Sequence, residues 1–427
     1  MSKFKLATLP NGGKLAYTKN KVSKSTIVEI VFDCGSRFDT IPGLAHFTEH
    51  MFFTGTKTLN KDEISKKYFD FMNVNAFTNS KNIAFTGNVF TKEFAEYLST
   101  VAMLINESTF TQKAVNNEIP VVQQEIAASA DNFKRKSAEF HNFNLTNGEV
   151  YKNKILGNEK SVASIKSKDV KEFVKKFFVA NNMWVYVSSP LAFNKVKNIV
   201  IKNLEEKLST NQNLPNIPLF YAPIANKNFY KIQYEDIKKA YLYITFPFNR
   251  NYNDIIFKRK FQLVLEMLND YSEGVMKYLR LNKSLTYGAY FSASYEETMA
   301  DLTFRTECDK QNLNELIKTL AEYLSNLLKN GFTEQQLNKA KREFDYETAT
   351  QQPNVKRNYS KLFDFKFYGK TFNYKELIKI ARQTTLEECN QMLKEVFAGL
   401  DVGASIYGNL GKQDVMDKKE FMQLFKF

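Results

Sequence analysis

The sequence predicts an α+β chain of two homologous halves, each an antiparallel or mixed sheet packed with helices. Three observations point there. Runs of roughly four to eight β-branched and aromatic residues alternate with longer helical patterns on both sides of the chain midpoint. An Asn- and Pro-rich stretch, residues 209–228 with Pro215, Pro218 and Pro223, separates the two series. A faint internal repeat relates them. Phe110-Thr111 precedes a helical segment carrying Glu125, and Phe332-Thr333 precedes one carrying Glu347 at the same spacing. Asn116 then matches Asn338, Ala127 matches Ala349, and Asn132 matches Asn354. The expected organisation is an N-terminal domain at 1–208, a linker at 209–228 and a homologous C-terminal domain at 229–427.

In the first half, strands are expected at 4–8, at 14–18 after the turn Pro10-Asn11-Gly12-Gly13, and at 25–32, a run rich in β-branched residues. Cys34-Gly35-Ser36 closes the third. A helix follows over 43–55: Thr40 or Ile41 sits near its cap, Pro42 suits its first turn, and Gly55 stops it. A polar amphipathic helix fits 61–71. Strands at 75–78 and 83–89 flank the turn Asn79-Ser80-Lys81-Asn82. Helices fit 92–106, 112–130, 168–178 and 193–207, with a strand at 183–188. In the second half, strands fit 241–246, 288–295, 301–306 and 403–407. Helices fit 254–271, 313–328 and 334–350.

With 427 residues, 43% hydrophobic and 25% charged, the chain can bury one or two substantial cores. Three cysteines, Cys34, Cys308 and Cys389, are too few for a disulfide framework and are expected as reduced thiols of a cytoplasmic chain. The first residues lack a signal-peptide apolar core and the Arg/Ser pattern of a presequence. No apolar run is long enough to span a membrane. The net charge of +14 comes from lysines scattered among Asn and Phe, with no dense basic tract. No nucleic-acid partner is therefore expected, although attraction for acidic peptides fits the balance.

The chemistry concentrates in Gly43-Leu-Ala-His46-Phe-Thr-Glu49-His50-Met-Phe-Phe-Thr-Gly55. The whole chain has three histidines, and two fall in this pentad. On a helix His46 and His50 lie about 40° apart on one face, with Glu49 flanking it. Two imidazoles at i, i+4 can grip one zinc ion, and the adjacent carboxylate can act as base toward water. The order His-x-x-Glu-His inverts the commoner His-Glu-x-x-His. A catalytic zinc takes three protein ligands, and the segment 112–130 offers Glu118 and Glu125, seven residues apart on one face. One can ligate while the other supports a ligand from behind. Pro120 lies between them and removes a backbone donor. His141 has no ligand spacing; it reads either as a buried polar residue, the favoured expectation, or as a support behind the metal site.

These residues resemble the inverted zinc peptidases of the pitrilysin, insulin-degrading enzyme and mitochondrial processing peptidase group. The stretch Gly43 to Gly55, followed by Thr56, is similar to their His-Phe-x-Glu-His motif. Asn75-Ala76-Phe77-Thr78 resembles their Asn-Ala-Tyr-Thr strand, and Val121-Val122-Gln123-Gln124-Glu125-Ile126 the segment that completes their zinc site. Leu156-Gly157 and Asn181-Asn182-Met183 fit later landmarks. One departure stands out: where the family usually has Arg after the residue equivalent to Glu118, this chain has Ile119 and then Pro120.

The resemblance implies one zinc ion per chain held by His46, His50 and Glu125, with Glu118 supporting the site and Glu49 as the catalytic base. It implies that Asn75, Ala76 and Phe77 lie on an edge strand that pairs with extended peptide. Arg280 and Tyr287 resemble the family's substrate-binding pair: Arg280 would hold a substrate carbonyl, and Tyr287 would donate to the oxyanion. It also implies a half-shell that closes a chamber with a second copy or a related subunit. The expected activity is zinc-dependent cleavage of unfolded peptides or leader peptides. The alternative is a peptide-binding or scaffold subunit of a two-chain peptidase. A purely structural zinc site would gather four Cys or His ligands, which this sequence does not do.

Overall fold

The computed structural model describes residues 4–20, 24–71, 73–146, 154–215, 226–295, 299–350, 374–399, 401–411 and 415–427. They gather into two compact units. Residues 4–131 and 154–215 form the first. Residues 132–146 and the described residues from 226 onward form the second.

The strands of the first unit are β1 (Phe4–Thr8), β2 (Lys14–Lys19), β3 (Ser25–Phe32), β4 (Val74–Thr78), β5 (Ile83–Phe90) and β6 (Met183–Ser189). Among the described residues they make a six-stranded sheet in the order β1-β2-β6-β3-β5-β4. Only β2 and β6 run parallel; the other neighbours are antiparallel. β3 sits inside the sheet, with Ile30 opposite Val185 on one side and Phe85 on the other. That position explains its β-branched run. The helices are α1 (Leu44–Met51), α2 (Lys61–Phe69), α3 (Phe94–Glu107) and α4 (Gln112–Ala130). In the second unit comes α5 (Phe133–Leu145); the first then resumes with α6 (Glu159–Ser164), α7 (Ser167–Phe177) and α8 (Phe193–Asn203).

The second unit repeats the plan. Its strands are β7 (Phe229–Tyr234), β8 (Lys239–Phe248), β9 (Gly288–Tyr295), β10 (Ala300–Asp309) and β11 (Gly403–Gly408), in the order β7-β11-β8-β10-β9. β11 pairs parallel with β7 and antiparallel with β8, as β6 does with β2 and β3. Its later helices are α9 (Ile255–Asn269), α10 (Leu313–Asn330) and α11 (Glu334–Thr350), then Tyr374–Gln383, Leu386–Phe397 and Lys418–Leu424. The internal repeat is visible locally. Phe110 and Phe332 are both buried. The Thr111 hydroxyl accepts from Ala114 N, and the Thr333 hydroxyl from Gln336 N. Asn354 and the side chains of Glu347 and Ala349 lie outside the described residues.

Several expectations need correction. α5, α6, β7 and the three helices after 373 have no counterpart in the sequence reading. β8 and β10 are longer at both ends than expected, and the 193–207 helix stops at Asn203 before a 3-10 turn at Glu205–Lys207. Residues 132–146, placed in the N-terminal half by the linear boundary, pack within the second unit. The contacts are specific. His141 hydrogen-bonds Thr245 Oγ1 through Nε2 (2.9 Å) and Ser405 Oγ through Nδ1 (3.2 Å), and stacks on Tyr243. Ser137 reaches the Tyr243 hydroxyl at 3.2 Å. Burial pushes the His141 pKa down to about 3, so the ring is neutral in the fold. His141 is thus the buried polar residue expected of it.

Candidate metal centre

The site begins with how α1 is held. Its cap is Asp39, ahead of the residues that local sequence favours: the carboxylate accepts from Gly43 N (2.9 Å) and Ala45 N (2.8 Å). Burial pushes Asp39 up to about 7, against the lowering effect of those amide donors. Gly43 takes φ +94°, a conformation that a Cβ strains. A Cβ there would also lie 2.8 Å from the Leu156 carbonyl oxygen, and one on Gly157 would lie 2.2 Å from that of Pro42. The Leu156-Gly157 landmark therefore reflects close backbone approach to the start of α1.

Along α1, Leu44, Phe47, Thr48 and Met51 turn into the core, and the Thr48 hydroxyl is satisfied by the Leu44 carbonyl at 2.7 Å. Phe52, just past the helix, packs edge-on against Phe85, Phe110 and Phe178, with centroids 4.8–5.6 Å away. Burying such a ring contributes about 1.5–3 kcal/mol, and here it pins the helix end. The opposite stripe carries His46, Glu49 and His50.

α4 supplies the acids. It runs unbroken from Gln112 to Ala130 with Pro120 inside, and it places Glu118 and Glu125 on the face toward α1. His46 Nε2 lies 3.6 Å and His50 Nε2 3.5 Å from Glu125 Oε2. One ligand atom from each of the three residues can be chosen so that all lie within 4.8 Å of one another. Tetrahedral zinc at its usual bond lengths sets ligand atoms roughly 3.4 Å apart, so the spacing fits. The chemistry fits as well. His50 Nδ1 lies 3.0 Å from buried Glu118 Oε1. With a proton on that nitrogen, Nε2 presents a lone pair to a carboxylate oxygen. Two such acceptors face each other favourably with a proton or a metal cation between them, and the unprotonated Nε2 is the form that ligates.

Glu49 sits beside this trio, and its Oε2 accepts from the Thr78 hydroxyl at 2.6 Å. Burial pushes the Glu49 pKa up; the Thr78 hydrogen bond and His50 pull it back, and Glu125 adds to the rise. Burial lowers the pKa of His50, but the hydrogen bond to Glu118 and the neighbouring acids outweigh it, so the net direction is up. Glu118 is held down, first by its bond to His50 and then by Lys61, whose Nζ lies 3.2 Å from Oε2, with burial opposing. A cation at the trio favours neutral His50, because ligation uses the unprotonated nitrogen.

Asn75, Ala76 and Phe77 lie on β4, an edge of the sheet. The Asn75 carbonyl accepts from the Tyr68 hydroxyl at 3.0 Å. Arg280 and Tyr287 belong to the second unit and come together there, the guanidinium 5.6 Å from the Tyr287 ring centroid and 5.9 Å from that of Tyr271. They line a cavity of about 480 Å³ with Lys239, Glu307 and Asp309. Three residues of the metal region escaped the sequence reading: Asp39, Lys61 and Thr78. Thr78 was visible within the Asn-Ala-Phe-Thr run, but nothing local tied it to Glu49.

The family model for insulinase (peptidase family M16) matches residues 14–159, and that for the peptidase M16 inactive domain matches residues 164–344. An uncharacterized zinc protease of Bacillus subtilis, YmxG, is 23% identical over 411 residues, spanning 92% of this chain and 96% of that protein. A probable mitochondrial-processing peptidase subunit beta of Arabidopsis thaliana is 26% identical over 224 residues, 50% of this chain but 42% of that protein. Among solved structures, a peptidase M16 inactive domain from Pseudomonas fluorescens superposes with a TM-score of 0.81 at 17% identity, covering 96% of this chain and 99% of that one. The periplasmic protease PqqL of Escherichia coli superposes with a TM-score of 0.81 at 18% identity, covering 99% of this chain and 50% of that one.

Proposed function

The chain belongs to the insulinase family of peptidases, M16, and from that premise we propose that it is a zinc-dependent endopeptidase. Its substrates on this reading are unfolded peptides, leader or presequence peptides among them. One observation carries the reading: His46, His50 and Glu125 converge while Glu49, held by Thr78, stands beside them. His46 Nε2, His50 Nε2 and a Glu125 oxygen would hold the ion. When bound, zinc makes a water more acidic and polarises a carbonyl.

The chain's own residues do the rest. The Glu49 carboxylate takes a proton from the attacking water as its oxygen adds to the peptide carbon. It then delivers that proton to the amide nitrogen as the C–N bond breaks. Burial of Glu49 suits this task, since a base poised nearer neutrality passes its proton on more readily. β4 would bind an extended segment by strand addition, and Arg280 and Tyr287 would bind substrate in the second unit. The alternative, a scaffold subunit without catalysis, has no use for a carboxylate positioned as Glu49 is.

Of this chain, 99% aligns with 50% of the PqqL chain. This supports a reading in which two such chains, or this chain and a related subunit, enclose the substrate. The test is to incubate the purified chain with a panel of unstructured peptides and map the cuts by mass. Cleavage abolished by a chelator and restored by zinc is expected. Zinc-loaded chain that cuts none of the peptides would leave the scaffold reading in its place.

A further inference from the structure

The loop after α1 folds straight back. Gly55 bridges Asn60, and Thr56 N donates to the Leu59 carbonyl at 2.8 Å. Asn60 then caps α2 in a reciprocal pair: Glu63 N donates to Asn60 Oδ1 (3.0 Å) and Asn60 N to Glu63 Oε2 (2.8 Å). The first residue of α2 is Lys61, so its backbone is fixed one short loop away from the metal helix. Its ammonium meets Glu118 Oε2 at 3.2 Å, while the other oxygen of the same carboxylate meets His50 Nδ1 at 3.0 Å. Glu118 is 5% exposed, and its two oxygens are divided between the lysine and the imidazole.

Charge gives a second line. Glu49, Glu118 and Glu125 bring three carboxylates to one small region. Among the described residues, Lys61 is the one lysine or arginine within ion-pair distance of any of them. Three carboxylates with one ammonium in reach leave the region short of positive charge, which a cation at the trio would supply. The lysine side chain is 61% exposed but that of Glu118 only 7%, so losing the lysine leaves a buried carboxylate short of one partner. Its consequence falls on the carboxylate it anchors.

We propose that Lys61 is a positioning residue of the metal centre: it anchors Glu118 so that Glu118 orients His50, and it balances the acids around a divalent cation. The assignment rests on the zinc reading above. Lys61 acts through Glu118 and is not itself one of the three ligand residues, so its effect belongs in metal affinity. Loss of the outer partner of a ligating histidine, here Glu118, typically weakens binding 10- to 100-fold, and Lys61, one contact further out, belongs at the low end.

The test is zinc affinity of the full chain, measured by competition with a chromophoric chelator and without substrate. Lys61→Met is expected to weaken zinc binding about 10-fold, Lys61→Gln equally, and Lys61→Arg to retain most of it. The metal-free chain should stay folded in all three, with an unfolding midpoint kept by Lys61→Arg and modestly lowered by Lys61→Met and Lys61→Gln, because Glu118 loses one of its two partners. In a Glu118→Gln background, Lys61→Met should add no further loss, because the two act through one contact. Zinc held as tightly by Lys61→Met as by the parent would overturn the assignment while leaving the peptidase reading intact. An undiminished Lys61→Met effect in the Glu118→Gln background would overturn it too. A parent chain that takes up no zinc would remove the metal reading, and this assignment with it.

Discussion

At position 49, burial and a hydroxyl pull one carboxylate in opposite directions. Burial raises the Glu49 pKa, and the Thr78 hydroxyl at 2.6 Å lowers it. Removing the hydroxyl removes the lowering influence. Thr78→Val should therefore move the acid limb of the kcat/KM profile to higher pH, while zinc content stays at the parent level. An unmoved acid limb would separate Thr78 from the base. Glu49→Gln keeps a similar shape but cannot accept the proton. It should hold zinc normally and lose turnover by about 10²- to 10⁴-fold. His46→Ala removes a ligand and should lose zinc and turnover together. Metal analysis beside peptide cleavage distinguishes the pair, and full activity in Glu49→Gln would refute its role.

At the level of elements, the metal helix depends on groups outside it. Asp39 caps it, Phe52 pins its far end, and the 156–157 backbone presses on its start. Gly43→Ala should cost at least about 1–2 kcal/mol for the left-handed conformation alone, and more because Leu156 must move. Urea denaturation measures the loss, and zinc affinity should fall with it. α5 tests a different force. His141 is buried neutral, with its pKa shifted from 6.5 down to about 3. Below pH 6.5 the unfolded chain takes up a proton that the fold refuses. The stabilisation is complete above 6.5 and is lost as pH falls toward 3. Between pH 7.5 and 5.5 this amounts to about 1.4 kcal/mol. His141→Gln, whatever its own cost at pH 7.5, should lose that much less on acidification; an identical pH dependence would show that the ring does not carry the effect.

For the described residues as a whole, five strands of the first sheet repeat the order and pairing directions of the second, β1 being extra, yet the chemistry is unequally divided. The helix between β8 and β9 in the second unit, α9, carries no histidine where α1, between β3 and β4, carries two. The second unit instead presents Arg280 and Tyr287 at a cavity. On the reading proposed above, the first unit would hydrolyse and the second would bind. The enclosed-substrate reading makes a direct prediction: the active species should sediment as a dimer, or as a pair with a related subunit. An active monomer in sedimentation velocity would exclude it. Among the described residues no helix is long and apolar enough to cross a membrane.

Local chemistry was enough to mark β3 by its β-branched run and α1 by its cap signals and His-x-x-Glu-His spacing, although α1 ends at Met51 and not at Gly55. It was also enough to put His46, Glu49 and His50 on one stripe, since 3.6 residues per turn leaves no other arrangement. It could not reveal α5, whose buried positions Ser137, His141, Asn144 and Leu145 are mostly polar and leave no apolar stripe to read. Nor could it reveal β7, which is exposed over most of its length. The outer contacts of the metal region belong to the tertiary structure alone. Glu118 meets Lys61 across 57 positions and His50 across 68, and Thr78 meets Glu49 across 29. No short-range periodicity encodes separations of that size. They exist because packing α1, α2, α4 and β4 around one aromatic core brings their polar ends together, and that packing is decided only when the chain folds.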